Sequence, residues 1–144
     1  MKYFEDLNVG EIAVTRARTV TETDIVMFAA LTGDWYPLHT DAEYSKKGPF
    51  GERIAHGMLI LSIANGLMPL YEMAIVAFYG MDKVRFTAPT KIGDTIHVEL
   101  EVMDKQDKGE IGGVIALKES VKNQRGETVA VSTKRVMLAK RPKG

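Results

Sequence analysis

Apolar and polar residues alternate along several stretches of the C-terminal half of the chain. In residues 95–102, TIHVELEV, every second residue is apolar. This is the period of a strand that has one buried face and one wet face. Glycines at 109 and 126 separate such stretches, as expected for hairpin turns. The other predicted strands cover residues 83–88, about 113–122, about 128–138 and, near the N-terminus, about 12–18.

Helical patterns fill the first half of the chain. Thr21 can cap a helix whose first turn contains Asp24, and Gly33 follows its last turn, where a left-handed residue commonly ends a helix. A short second helix is predicted over about 41–47. The third, over about 57–70, reads GMLILSIANGLMPL and is apolar on nearly every side, so we expect it to be surrounded. Polar residues and Pro69 interrupt the surrounding apolar stretch, so it is not expected to cross a membrane.

The order of elements predicts the architecture. One strand and several helices precede four consecutive strands, which short turns would join into an antiparallel sheet. A sheet with one apolar face must be covered, and the all-apolar helix is the candidate cover. We therefore expect one α+β domain over residues 1–144, in which a curved antiparallel sheet packs around a buried helix.

Composition narrows the function classes. Lys and Arg number 19 and so do Asp and Glu, so the formal net charge is zero and no nucleic-acid or membrane partner is indicated. The chain has no cysteine, which excludes thiolate catalysis, disulfides and cysteine-bound metals. With no signal peptide evident at the N-terminus, we expect a cytoplasmic protein.

A polar segment between the first and third helices carries the candidate chemistry. In residues 33–39, GDWYPLH, Gly33 and Pro37 stiffen a loop that sets Asp34 five residues before His39. A carboxylate and an imidazole are a general acid/base pair near neutral pH. The alternative is that Asp34 only caps a turn and His39 only packs in the core.

The start of the third helix is a candidate oxyanion hole. The first backbone N–H groups of a helix lack intrahelical acceptors, and Gly57 has no side chain to block a substrate carbonyl. Alternatively, Gly57 only makes room for a tight turn. The three histidines form no metal-binding pattern, so no metal is expected.

These motifs resemble the MaoC-like dehydratases, also called (R)-specific enoyl-CoA hydratases. The resemblance rests on residues 33–39 and 53–58 (RIAHGM), with 19–34 and 84–96 in support. It implies the hotdog fold, a homodimer or larger homo-oligomer, and reversible hydration of a trans-2-enoyl-CoA to a 3-hydroxyacyl-CoA without any cofactor beyond the CoA of the substrate. It further implies that Asp34 and His39 hold the water, in roles that sequence alone leaves open, and that the Gly57 amide holds the thioester oxygen.

Two positions depart from the family pattern. Tyr36 stands where the family usually has Asn, and Asn65 stands where a small hydroxyl residue is common. We expect Tyr36, Trp35 and Phe50 to narrow the pocket toward short or polar acyl groups. Arg85 and Lys91 are candidate contacts for the CoA phosphates.

Two other functions stay open at this point. One is a hotdog thioesterase, which would hydrolyse the thioester, and the other is a non-catalytic subunit that binds acyl thioesters. The Asp34–His39 pair favours the hydratase over both.

Overall fold

The computed structural model describes residues 1–143, and one six-stranded antiparallel sheet dominates them. The strands lie in the order β1-β4-β5-β6-β3, with the short β2 paired to β4. Their bounds are β1 Ile12–Val14, β2 Arg18–Thr19, β3 Ile75–Phe86, β4 Thr95–Asp107, β5 Gly113–Lys122 and β6 Thr128–Leu138.

The helices precede most of the sheet in the chain. They are α1 Glu22–Thr32, α2 Pro37–Thr40, α3 Ala42–Lys46 and α4 Gly57–Leu67, with single 3₁₀ turns at Phe4–Asp6, Leu70–Glu72 and Gly109–Ile111. At α1 the predicted cap is confirmed. The Thr21 hydroxyl accepts a hydrogen bond from the Asp24 amide N–H, and the Asp24 carboxylate accepts one from the Thr21 amide N–H. Gly33 ends the helix in the left-handed region, at φ 79°.

Helix α4 supplies the centre of the core. Its buried residues pack against β4 and β6. Over residues 95–102 of β4, buried side chains alternate with partly buried ones, as the period-two pattern predicted. Each fully buried leucine or isoleucine stabilises the fold by about 1.5–3 kcal/mol. The buried face of α4 consists of Leu59, Ile60, Leu61, Ile63, Ala64 and Leu67.

The strand predictions need three corrections. The strand after α4 pairs with β6 at the far edge of the sheet and not with β4, so consecutive strands are neighbours only from β4 to β6. It begins at Ile75, well before the predicted residue 83, with register shifts along its length. The predicted strand over 12–18 is two short strands separated by residues 15–17. The ladder is interrupted there because the Val98 amide donates to the Thr15 hydroxyl and not to a backbone carbonyl.

The prediction for the third helix was wrong in two respects. It ends at Leu67 and not at residue 70, because Met68 precedes Pro69 and takes extended geometry. It is also not surrounded, since Met58, Ser62 and Asn65 form an exposed stripe on the side that the sheet leaves open. None of the helices in residues 1–143 has the length and hydropathy that crossing a bilayer requires.

Candidate functional site

A stiff turn after α1 carries the predicted pair. Gly33 lets the chain leave the helix, and Pro37 occupies the first turn of α2, where its missing N–H leaves no bond unmade. Asp34 is exposed, and its Oδ1 accepts the Tyr36 amide at 3.3 Å. His39 lies in the last turn of α2 and is half-buried. Asp34 therefore does cap a turn, as the structural alternative proposed, but its carboxylate also lies beside His39.

The tautomer of His39 follows from its contacts. Its Nδ1 lies 2.8 Å from the carbonyl oxygen of Ile54, which only accepts hydrogen bonds. Nδ1 therefore carries the proton in the neutral ring, and Nε2 presents a lone pair. Arg53 holds the same segment, because its Nε donates to the His39 carbonyl at 2.7 Å and its guanidinium makes two hydrogen bonds to Glu22, at 2.9 and 2.8 Å.

A third residue, His56, completes the cluster and was not assigned a role from the sequence. Its Nε2–H donates to the Asp34 carbonyl oxygen at 2.9 Å, and its ring stacks on His39 with centroids 3.9 Å apart. Phe28 covers it at 4.9 Å, and only 2% of the residue is exposed. Within residues 1–143 its Nδ1 has no hydrogen-bond partner. His56 thus fixes the backbone of one member of the pair and the ring of the other.

The cluster has the dimensions of a water site. One carboxylate oxygen of Asp34 and one ring nitrogen from each of His39 and His56 lie within 4.8 Å of one another. A water that bonds to two such atoms at about 2.8 Å separates them by about 4.6 Å. The same three groups are potential metal ligands. However, the two histidine rings are stacked, so their in-plane lone pairs point side by side and do not converge on one metal ion. Each ring also uses one nitrogen to bond to a backbone carbonyl. The arrangement therefore suits proton transfer better than metal binding.

Electrostatics favour a neutral His39. Partial burial lowers the pKa of His39 below its ordinary value because it disfavours the charged ring, and the neighbouring His56 lowers this pKa further. The Ile54 carbonyl and the Asp34 carboxylate oppose the shift without reversing it. The net direction keeps the Nε2 lone pair available near neutral pH.

His39 and Gly57 line the same cavity, of about 440 Å³. Gly57 is the first residue of α4, so its amide lies at the positive end of the helix. A Cβ at this position would lie 2.7 Å from the ring of Phe86, so the glycine also makes room for that ring. The position of the amide fits the predicted oxyanion hole, and the space that a side chain would need is taken by the Phe86 ring and not by the tight turn of the alternative interpretation. The lining residues do not include Asp34, whose carboxylate lies beside His39.

The other predicted site residues are dispersed. Phe50 lines the cavity, whereas Tyr36 is exposed and its ring meets His39 edge-on at 6.4 Å. Asn65 lines a second cavity. Neither of the predicted phosphate contacts lines the first cavity: the guanidinium of Arg85 donates to the Val84 carbonyl, and the ammonium of Lys91 pairs with Glu52 at 2.7 Å.

Known proteins match most of this chain. The model of the MaoC like domain family matches residues 8–124. Protein MaoC of Klebsiella aerogenes is 43% identical over 74% of this chain, and this match spans only 32% of that protein's length. The (R)-specific enoyl-CoA hydratase of Rhodospirillum rubrum is 35% identical over 71% of this chain and 70% of its own.

Solved structures agree with the fold. A protein of Archaeoglobus fulgidus, described as a monoamine oxidase regulatory protein, is 47% identical and superposes with a TM-score of 0.91 over 98% of this chain and 96% of its own. A Mycobacterium tuberculosis protein with a double hotdog fold has a TM-score of 0.87 at 20% identity, over 99% of this chain and 46% of its own. The predicted hotdog fold is confirmed.

Proposed function

Because this chain belongs to the MaoC-like domain family, we propose that it is a hydro-lyase that adds water reversibly to a trans-2-enoyl-CoA to give a 3-hydroxyacyl-CoA. One observation carries the proposal: His39, with a free Nε2 lone pair, lies beside Asp34 and lines the cavity that Gly57 also lines. The family relative named as an enoyl-CoA hydratase supports the same reaction.

In the proposed mechanism, His39 moves the proton. A water bound between Nε2 and the Asp34 carboxylate gives one proton to Nε2 while its oxygen attacks Cβ of the enoyl group. The resulting imidazolium then donates that proton to Cα. The hydroxyl ends on Cβ and the hydrogen on Cα, so one water is consumed and no net proton is gained or lost. Asp34 orients the water and stabilises the transient imidazolium.

The Gly57 amide would stabilise the intermediate charge. As the water attacks Cβ, negative charge develops on the thioester oxygen, and an unpaired N–H at the start of α4 can donate to it. Removing one such donor typically slows catalysis by about 10²–10³-fold. The chemistry needs no further cofactor, and Arg85 and Lys91 stay the predicted contacts for the CoA phosphates.

One assay separates this function from the two alternatives. Crotonyl-CoA is incubated with the protein while the enoyl-thioester absorbance and free thiol are followed separately. Hydration removes the absorbance and releases no thiol, whereas a thioesterase releases thiol. Absence of both changes, together with measurable binding of crotonyl-CoA, would indicate the non-catalytic subunit.

We further propose that a second copy of the chain pairs along β3. This strand is an edge of the sheet and exposes apolar residues, among them Val76 and Tyr79, and such an edge readily adds another strand. Val76→Lys with Tyr79→Lys should shift the sedimentation coefficient from that of a dimer to that of a monomer. Ile12→Lys, on the opposite edge strand β1, is the control and should leave the dimer intact. A monomeric wild type would refute the proposal.

A further inference from the structure

A second cavity lies beside the exposed stripe of α4. It measures about 500 Å³, and its walls are mostly apolar. Its polar lining comes from Ser62 and Asn65 on α4 and from Lys134 on β6. Met58 lines this cavity and also the one that contains His39, so the two adjoin at the first turn of α4.

The lysine in this cavity is almost completely buried. Lys134 is 1% exposed, and its ammonium lies 2.6 Å from a carboxylate oxygen of Glu119, which is fully buried. Taking two charges out of water is expensive, so a buried pair is weak evidence for stability. Its location on a cavity wall points to a role in that cavity.

The ammonium fixes the orientation of one amide. Lys134 has three protons, and its contacts are Glu119, the Asn65 Oδ1 at 3.2 Å and the Met68 sulfur at 3.2 Å. Because an ammonium only donates, the oxygen of Asn65 must face it and the amide nitrogen must face away. Among the described residues this nitrogen has no acceptor, so two N–H donors are free on a wall of the cavity.

We propose that this amide recognises a neutral oxygen on the distal part of the acyl chain, a carbonyl or hydroxyl on an otherwise apolar tail. The inference rests on the proposed function, because it takes the thioester to bind at Gly57. A carboxylate is disfavoured, since Glu119 already neutralises the lysine and its own negative charge lies close by. The apolar walls accommodate the rest of the tail.

The helix sets the position of that oxygen. Gly57 and Asn65 both lie in α4, about 12 Å apart along its axis at 1.5 Å per residue. An extended chain reaches roughly 1.25 Å per carbon, which follows from a carbon–carbon bond of about 1.5 Å. The oxygen should therefore lie about nine or ten carbons from the thioester.

Binding of saturated thioesters tests the inference without any turnover. The probes are decanoyl-CoA and its counterpart with a ketone next to the terminal methyl group, measured by calorimetry. A ketone only accepts hydrogen bonds. The wild type should bind the ketone about tenfold more tightly, the ratio expected of one good hydrogen bond in an apolar site.

Two variants separate the amide donors from the lysine network. Asn65→Asp keeps an oxygen for Lys134 and removes the N–H donors, and Asn65→Leu removes both. Each should abolish the preference for the ketone. Tyr71→Phe is the control: Tyr71 is 99% exposed and does not line the cavity, so this variant should keep the wild-type ratio of affinities for the two probes.

Several results would overturn the inference. The first is that the ratio of the two affinities, ketone probe over decanoyl-CoA, is the same in the wild type and in Asn65→Asp. The second is that an acyl-CoA with a terminal carboxylate binds more tightly than the ketone probe. The third is that neither probe binds. A cavity filled by a second copy would also overturn it, and would appear as Asn65→Leu dissociating the oligomer without changing the ratio. If the wild type prefers the ketone probe as expected but does not hydrate crotonyl-CoA, the proposed hydration is wrong while the proposed recognition of the acyl chain stands.

Discussion

Replacing His56 should separate the two contacts by which this residue supports the catalytic pair. His56→Phe keeps a ring on His39 but removes the Nε2–H that donates to the Asp34 carbonyl at 2.9 Å. His56→Gln places an amide N–H near the same position but removes the ring stacked on His39 at 3.9 Å. Both variants keep the Asp34 carboxylate and the His39 imidazole as chemical groups and change only the contacts that position them.

The expected magnitudes follow from these contacts. Losing one hydrogen bond costs about 0.5–1.5 kcal/mol of folding stability. Displacing a catalytic group by about 1 Å slows a reaction by about 10²-fold, so we expect kcat/KM of His56→Phe to fall by roughly 10- to 100-fold. His56→Gln keeps the donor, so its kcat/KM should fall less.

The pH dependence of kcat/KM for crotonyl-CoA hydration is the diagnostic assay. The proximity of His56 helps to lower the pKa of His39, so removing His56 should raise that pKa. Because His39 must be neutral to act as the base, the acidic limb of the kcat/KM profile should move to higher pH in both variants. His97→Phe is the control, because this histidine lies on β4 beside Glu99 and should not affect the limb. An unmoved limb in both His56 variants, or wild-type activity in His56→Phe, would refute the reasoning.

Three further predictions concern the core and the base. Lys134→Met should lower the free energy of unfolding in urea by about 3–5 kcal/mol, because it leaves the buried Glu119 carboxylate without a cation. Adding Glu119→Leu should recover most of that loss. Equal instability of the single and the double variant would contradict this. The added methyl group of Gly57→Ala would lie 2.7 Å from the far end of the Phe86 ring, which is 51% exposed and can move aside, so the loss of unfolding free energy should stay below the loss of about 1–3 kcal/mol that is typical of an overpacked core; a larger loss in urea unfolding would contradict this. Because the pKa of His39 is lower in the folded chain than in the unfolded one, wild-type stability should fall as pH drops from the ordinary histidine pKa of about 6.5 toward the folded value. His39→Gln should show a shallower slope of unfolding free energy over that window, and an equal slope would contradict the pKa direction.

Local signals in the sequence predicted much of the fold. The Thr21 cap and the Gly33 terminus depend on neighbouring residues, so both were readable and both were found. The pairing of β3 with β6 was not readable, because period two shows which face of a strand is buried but not which strand lies beside it. The exposed stripe of α4 was missed because Met58 counts as apolar in the pattern, which leaves only Ser62 and Asn65 as its polar members.

The site was predicted only in part, because sequence patterns show local turns but not contacts between segments that are distant in the chain. The turn that holds Asp34 and His39 is local, whereas the contacts of His56 require the start of α4 to pack against that turn. One signal for the buried ion pair was available: Glu119 and Lys134 occupy positions in β5 and β6 whose neighbours two residues away face the core. Charged residues on an inward face indicate a pair or a site.

The central claim is that a carboxylate and an imidazole act on one water molecule, and a double-mutant cycle on kcat measures this directly. Asp34→Asn and His39→Gln should each slow crotonyl-CoA hydration by about 10²–10⁴-fold. Groups that act as a unit are not additive, so the double variant should be hardly slower than the worse single variant. If the fold-decrease in kcat of the double variant equals the product of the two single fold-decreases, the two side chains act independently, which would contradict the shared water.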